Sequence, residues 1–195
     1  MTNLKKIKPM EKIRCGWVTK DQIYIDYHDN EWGKPVYDDK KLFEFLILES
    51  FQAGLSWLTI LKKRENFRKA FDDFEVNKVA NFSEDKIEKL VKDEGIIRHR
   101  GKINAAIHNA KLFIDIQQEF GSFSTFIWSY VNHHPIINEW NSIKDIPATS
   151  QLSDQIAKDL KKRGFKFLGS TTIYAHMQAT GMIDDHIKDC HCRSL

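Results

Sequence analysis

Apolar positions recur along most of the chain at the three- and four-residue spacing of helices, and no stretch alternates long enough to read as a strand. After a polar turn at Tyr37-Asp38-Asp39, the run KKLFEFLILESF is apolar nearly all round, which predicts a helix in the middle of the core. Gly54 interrupts it within QAGLS, and WLTILKKRENFRKAF resumes as an amphipathic helix. Ser83 is placed to cap SEDKIEKLVKDEG, expected to stop at Gly95. A basic turn, RHRGK, leads into KINAAIHNAKLFIDI, where Ile103, Ala106, Ile107, Ala110 and Phe113 mark one helical face. Ser122 is placed to cap the short run FSTFIWSYVN. Residues 133–149 hold two of the four prolines and read as a connection. Beyond it Leu152, Ile156 and Leu160 fall four apart, and Gly164 sits where a helix C-terminal glycine belongs. A last helix is expected from about Ser170 to Ala179, ending at Gly181. The expected fold class is all-α.

Composition narrows this only modestly. The 195 residues, 42% of them hydrophobic, suffice for one domain with a proper core, expected over residues 11–195. The first ten, MTNLKKIKPM, read as a mobile basic extension without the apolar run of a signal peptide. Net charge is +3 and the sequence pI about 8.6, so the placing of charge says more about partners than its sum. No apolar run is long enough to span a bilayer. Three cysteines, Cys15, Cys190 and Cys192, are an odd and sparse set. They point to a reducing, cytoplasmic setting, with metal ligation or burial favoured over a disulfide. No oligomerisation signal is visible, and a monomer is expected.

Three places carry candidate chemistry. From Phe45 to Leu61 the only ionisable residue is Glu49. A carboxylate in such a run costs several kcal/mol unless it is paired or hydrogen-bonded. It is either a satisfied core acid or a pocket acid that reads a ligand's hydrogen-bond donors, with Tyr24, Tyr27 and Trp57 as flat surfaces around it. Trp17 and Trp32 either line the same cavity or fill core. At the two ends of the chain, Cys15 and His28 face His186 and Cys190, the latter pair four apart and on one face if helical. Two sulfurs and two imidazoles suit a closed tetrahedral zinc site, with His191 and Cys192 as competing ligands and unrelated buried side chains as the alternative.

The third place is RGFKFLGSTT, residues 163 to 172. A nucleotide-binding P-loop follows a strand and needs Lys after its second glycine; here a charged helix precedes it and Ser170 stands in the lysine's place. What remains is a turn between Gly164 and Gly169 that opens a helix at Ser170 and Thr171. Backbone amides and the helix dipole there suit one DNA phosphate, with Lys161, Lys162, Arg163 and Lys166 nearby. An ordinary helical hairpin is the alternative.

With these residues in view, the chain resembles the DNA-3-methyladenine glycosylase I family of the helix-hairpin-helix superfamily. The resemblance runs from Ile13 to Cys190 and rests on RCGWV, YIDYHDNEWG, LESFQAGLSWLTILKKRENFRKAF, GIIRHRGKI, FIWSYVN, LKKRGFKFLGSTTIY and HIKDC. It implies a repair enzyme that excises 3-methyladenine from alkylated double-stranded DNA, with one structural zinc on Cys15, His28, His186 and Cys190. It implies further that Glu49 recognises the base, that Tyr27 and Trp57 stack on it beside Tyr24, and that Gln52, Gly54 and Leu55 enter the DNA gap. Gly164, Lys166, Gly169, Ser170 and Thr171 would anchor the backbone. Superfamily members that also cut the strand carry a lysine where Thr171 stands, so base removal without strand cleavage is expected. Asp184, two before His186, is a secondary acid candidate, and His176 departs from the aromatic more usual in the family. The alternative function is a non-catalytic zinc-stabilised DNA-binding module.

Overall fold

The computed structural model describes residues 12–194, and the basic extension expected at residues 1–10 lies outside them. Nine α-helices and two short 3-10 turns account for most of these residues. The first helix, α1 (Gln22–Asn30), carries Tyr24, Tyr27 and His28. The second, α2 (Asp39–Gln52), is the axis of the molecule, with every residue from Leu42 to Phe51 buried. It packs against α3 (Trp57–Ala70), α6 (Arg100–Phe120), α7 (Phe123–Ser129) and α9 (Ser170–Ala179). That burial on all sides is what an apolar run without a polar face demands. Asp38 caps α2 by accepting from Lys41 N at 2.8 Å. Asp39 ties its start to α7, accepting from the backbone amides of Phe123 (2.9 Å) and Ser124 (2.7 Å).

The stops and starts follow from local chemistry. Gly54, at φ +82°, turns the chain between α2 and α3 in a region that disfavours L side chains. Ser56, Ser83 and Ser122 cap α3, α5 (Glu84–Lys92) and α7, each accepting from the amide three residues on. Between α3 and α5 lies the short α4 (Val76–Ala80), packed on α6. Helix α5 ends at Lys92 rather than at Gly95, because Asp93 turns back to accept from Gly95 N at 2.8 Å. The face of α6 marked by Ile103, Ala106, Ile107, Ala110 and Phe113 is buried throughout. The α8 helix (Gln151–Lys162) ends in Arg163, with Gly164 at φ +99° beyond it, and α9 packs against it.

Two features depart from a purely helical reading. The 133–149 connection contains β1 (Ile136–Ile137), which pairs in parallel with β2 (Ile183–Asp184). Two residues are too few for alternation to show in the sequence. Beyond β2 the stretch HIKDC is not helical, correcting the helical spacing on which His186 and Cys190 were paired; it bends through a turn at Lys188-Asp189 instead. Besides the main core, a second apolar cluster of Cys15, Tyr27, Trp32, Phe45, Leu61, Ala179 and Cys190 joins both ends of the chain.

His176 is fully buried on α9, donating through Nε2 to Leu42 O at 3.1 Å while Nδ1 has no partner. Burial lowers its pKa to about 4, only partly offset by the Leu42 carbonyl. The unfolded chain therefore takes up a proton at higher pH than the folded one, and stability is lost as pH falls from the ordinary histidine range toward 4. Replacing His176 by Phe is expected to raise the thermal midpoint at pH 5 by several degrees more than at pH 7.5, about 2–4 °C per kcal/mol, measured by circular dichroism.

Candidate active site and metal cluster

A cavity of about 330 Å³ opens beside the second cluster. Such a volume holds one small ligand. One wall comes from α1 and the segment around it, with Tyr24, Tyr27, Trp17 and Trp32; another comes from the α2–α3 turn, with Glu49, Gln52 and Trp57. Tyr27 and Trp57 touch each other, their centroids 5.5 Å apart and their planes at 53°. They form a corner, not two parallel plates. Phe45 packs near both rings and carries the Arg64 guanidinium over its own ring at 5.0 Å. Arg64 in turn is held by Glu44 at 2.7 Å and doubly by Glu31 at 2.9 Å, fixing α1, α2 and α3 relative to one another.

Glu49 is only 5% exposed, yet its carboxyl faces this cavity. Burial raises its pKa to about 8, with no ion pair or hydrogen bond offsetting the desolvation. Burial and then the nearby Glu49 push the Tyr24 and Tyr27 hydroxyls upward as well. The satisfied-core-acid reading thus fails: among the described residues this acid has no protein partner, and it sits in an aromatic hollow. The expected residues Tyr24, Tyr27, Trp57, Gln52 and Thr171 all line the same space.

A cysteine–histidine cluster lies behind the aromatic wall. His28 sets Nδ1 on Asp29 at 2.8 Å, and its Nε2 lies 3.4 Å from Cys190 Sγ. His186 sets Nδ1 on Asp184 at 2.7 Å, and its buried Nε2 has no partner. Carboxylates on both Nδ1 atoms leave both Nε2 atoms as ligands, the usual outer arrangement around a histidine-bound metal. The Cys15 thiol hydrogen-bonds Cys190, holding the Cys190 pKa low and raising its own. Ligand atoms of His28, His186, Cys190 and Cys192 lie within 4.8 Å of one another, so the cluster could hold a metal ion. Cys192, however, approaches His28 at Nδ1 (3.9 Å), the atom that Asp29 already occupies. The donor chemistry suits a tetrahedral N/S ion. Of the expected four ligands Cys15 is outside this set, where Cys192 stands instead, although the Cys15 backbone amide donates to His28 Nε2 at 3.4 Å. Asp184, the secondary acid candidate, is spent on His186 and Ser194 N and does not line the cavity.

The α8–α9 turn differs in detail from the sequence expectation. The amides of Gly164, Phe165 and Lys166 are consumed by Lys161 O, Leu160 O and Asn109 Oδ1. Among the described residues, the amides from Phe167 to Thr172 have no protein acceptor. Gly169 is at φ −73° and caps α9, while the left-handed position in the turn is taken by Phe167 at φ +58°. Lys166 is exposed beside it, and Leu55 (40% exposed) stands with Gly54 on the α2–α3 turn next to cavity-lining Gln52.

A family model described as methyladenine glycosylase matches residues 17–194. The chain belongs to the methyladenine glycosylase family. It is 52% identical over 179 residues to DNA-3-methyladenine glycosylase 1 of Escherichia coli (strain K12), covering 92% of this chain and 96% of that protein. DNA-3-methyladenine glycosylase of Haemophilus influenzae is 49% identical over 181 residues, covering 93% and 98%. Among solved structures, a crystal structure of 3-methyladenine DNA glycosylase I matches with TM-score 0.91 at 50% identity, over 93% of this chain and 100% of the other. A Staphylococcus aureus 3-methyladenine DNA glycosylase I, studied for 3-methyladenine recognition, matches with TM-score 0.90 at 44% identity, over 93% and 97%.

Within this family frame the cavity has two walls that sequence reading missed. Tyr174, Ala175 and Gln178 extend the α9 wall from Thr171, at the helical spacing of one face. That spacing was legible. The fourth wall, Ile143, Ile146, Pro147 and Ala148, comes from the prolinated connection and had no periodicity to betray it.

Because Glu49 keeps its proton in the folded chain up to about pH 8, the fold loses stability as pH rises from the ordinary glutamate range through that value. Glu49→Gln is expected to match the parent chain's thermal midpoint at pH 5 and to exceed it at pH 9 by on the order of 10 °C, read by differential scanning calorimetry.

Proposed function

We propose that the cavity is the base pocket of a DNA glycosylase that removes 3-methyladenine from alkylated double-stranded DNA by hydrolysing the N-glycosidic bond. The single observation that carries this reading is the partnerless Glu49 carboxyl in an aromatic cavity, in a chain about half identical to named DNA-3-methyladenine glycosylases. Methylation at N3 gives the nucleotide's adenine a positive charge and makes it a good leaving group. A binding site for it needs π faces and an anion more than a strong general acid.

The steps follow from this chain's residues. The free amides from Phe167 to Thr172, at the positive end of α9, take a backbone phosphate with Lys166 beside them. Leu55, carried by the turn at Gly54, fills the space that the lesion vacates as it swings out. The base enters the corner formed by Tyr27 and Trp57, with Tyr24 alongside, and donates to Glu49. Bringing a cation to Glu49 expels its proton below about pH 8, so the favourable ion pair forms only with the damaged base. Water then attacks the sugar carbon and the free base leaves. Thr171 offers no amine for a Schiff base, so the strand stays intact.

The test is incubation with methylated DNA and chromatography of the released base. Free 3-methyladenine is expected, strands remain unbroken without heat or alkali, and Glu49→Gln lowers the single-turnover rate by about 100-fold. Release of no base, or nicked product from clean enzyme, contradicts the reading. A non-catalytic binding module using the same turn would leave Glu49 without a task.

We further propose that Cys15, His28, His186 and Cys190 hold one structural zinc. With four protein donors the ion would clamp the N-terminal segment and α1 to the segment after β2, leaving no open position for water. Metal analysis is expected to give one zinc per chain, lost in Cys190→Ala with a fall in thermal midpoint on the order of 10 °C. Cys192→Ala is expected to keep both the metal and the midpoint. Equal metal loss in the two variants would reassign the fourth ligand.

A further inference from the structure

Asp185 is fully buried and accepts four hydrogen bonds. Oδ1 accepts from Asn138 Nδ2 (2.6 Å) and Trp140 Nε1 (2.7 Å). Oδ2 accepts from the Tyr174 hydroxyl (2.7 Å) and Gln178 Nε2 (2.9 Å). All four partners are neutral side chains. Two belong to the connection that runs on to Ile143, Ile146, Pro147 and Ala148; two belong to α9 and themselves line the cavity. One carboxylate therefore joins two of the cavity's walls. Backbone pairing reinforces the joint where it leaves β1, Asn138 N donating to Asp184 O at 3.0 Å.

Burying a carboxylate is costly unless its lone pairs are used, and here four donors use both oxygens. Its particular ability is to accept on both oxygens at once. An amide has one acceptor oxygen and must release one pair of donors. We propose, building on the glycosylase reading, that Asp185 is a positioning residue for base recognition. It fixes the distance between the α9 wall and the 143–148 wall, and so sets the width of the slot that a flipped purine enters. It does so by aiming the Tyr174 ring and the Gln178 amide stem along the cavity, without touching the base. The free amides from Phe167 to Thr172 make no contact with it, so its effect falls on the base and not on the phosphate grip.

The experiment compares the parent chain, Asp185→Asn and Trp140→Phe, the last losing only the indole N–H donor outside the cavity. Each is checked for fold by near-ultraviolet circular dichroism and for metal content. Three quantities are then read: affinity for undamaged duplex, affinity for free 3-methyladenine by tryptophan fluorescence, and single-turnover excision from methylated DNA. Asp185→Asn is expected to weaken base affinity and slow excision by about tenfold each, with duplex affinity unchanged. Trp140→Phe shows the same split at about threefold, and it decides alone if Asp185→Asn does not fold or loses its metal. Folded variants that excise at the parent rate, or whose duplex affinity falls in step with excision, overturn the assignment. Absence of base release by the parent chain would instead remove the glycosylase reading beneath it.

Discussion

The structure depends on keeping one carboxyl group dry without giving it a partner. Glu49 sits three residues before the end of a helix buried on all sides, and an acid there destabilises the fold whenever it ionises. What tolerates it is the packing of the rest of α2 against four other helices, together with the Asp38 cap that fixes where that helix begins and the Asp39 carboxylate that ties its start to α7. The cost is therefore held as a standing preference for positive charge in the neighbouring cavity. A cationic purine in the cavity would relieve it by ion pairing and a neutral base only by donating hydrogen bonds, which is selection by differential stabilisation and not by shape alone.

Around that acid, segments distant in sequence make one cavity. Helix α1 brings tyrosines, α2 and α3 bring the acid and a tryptophan, α9 brings a polar face, and an irregular connection closes the remaining side. Each join has its own chemistry: Arg64 with Glu31 and Glu44 on one side, Asp185 with its four donors on another. The cysteine–histidine cluster lies behind the wall formed by Trp17 and Trp32, whose rings pack against His28 and His186. Helix α9 couples the parts, since its first turn presents free amides while its next two turns line the cavity. Under the proposed function, gripping a phosphate and receiving a base would thus both fall to one helix.

Much of this was legible in the chain itself. Helix periods gave α2, α3, α6, α8 and α9, and the lone acid in an apolar run led to the cavity because burial of charge is rare enough to need a reason. Other features left no trace. The β1–β2 pair is two residues long, and the Ile143–Ala148 wall is irregular, so neither has a period to detect. His186 and Cys190 were paired through a helical spacing that the chain does not adopt; a turn at Lys188 and Asp189 brings them to His28 instead. The amides offered by the α8–α9 turn also shifted C-terminally, because Asn109, far away in sequence, reaches in to occupy Lys166. Asp185 was invisible for the same reason: its four partners come from two remote segments.

The central claim concerns a charge state, and the direct measurement is the titration of the Glu49 carboxyl carbon by nuclear magnetic resonance in glutamate-labelled protein. In the free chain its midpoint is expected near 8, and saturating 3-methyladenine, by donating to the carboxylate, is expected to move it downward. A midpoint in the ordinary glutamate range, or one indifferent to the base, would contradict a partnerless acid waiting for a damaged purine.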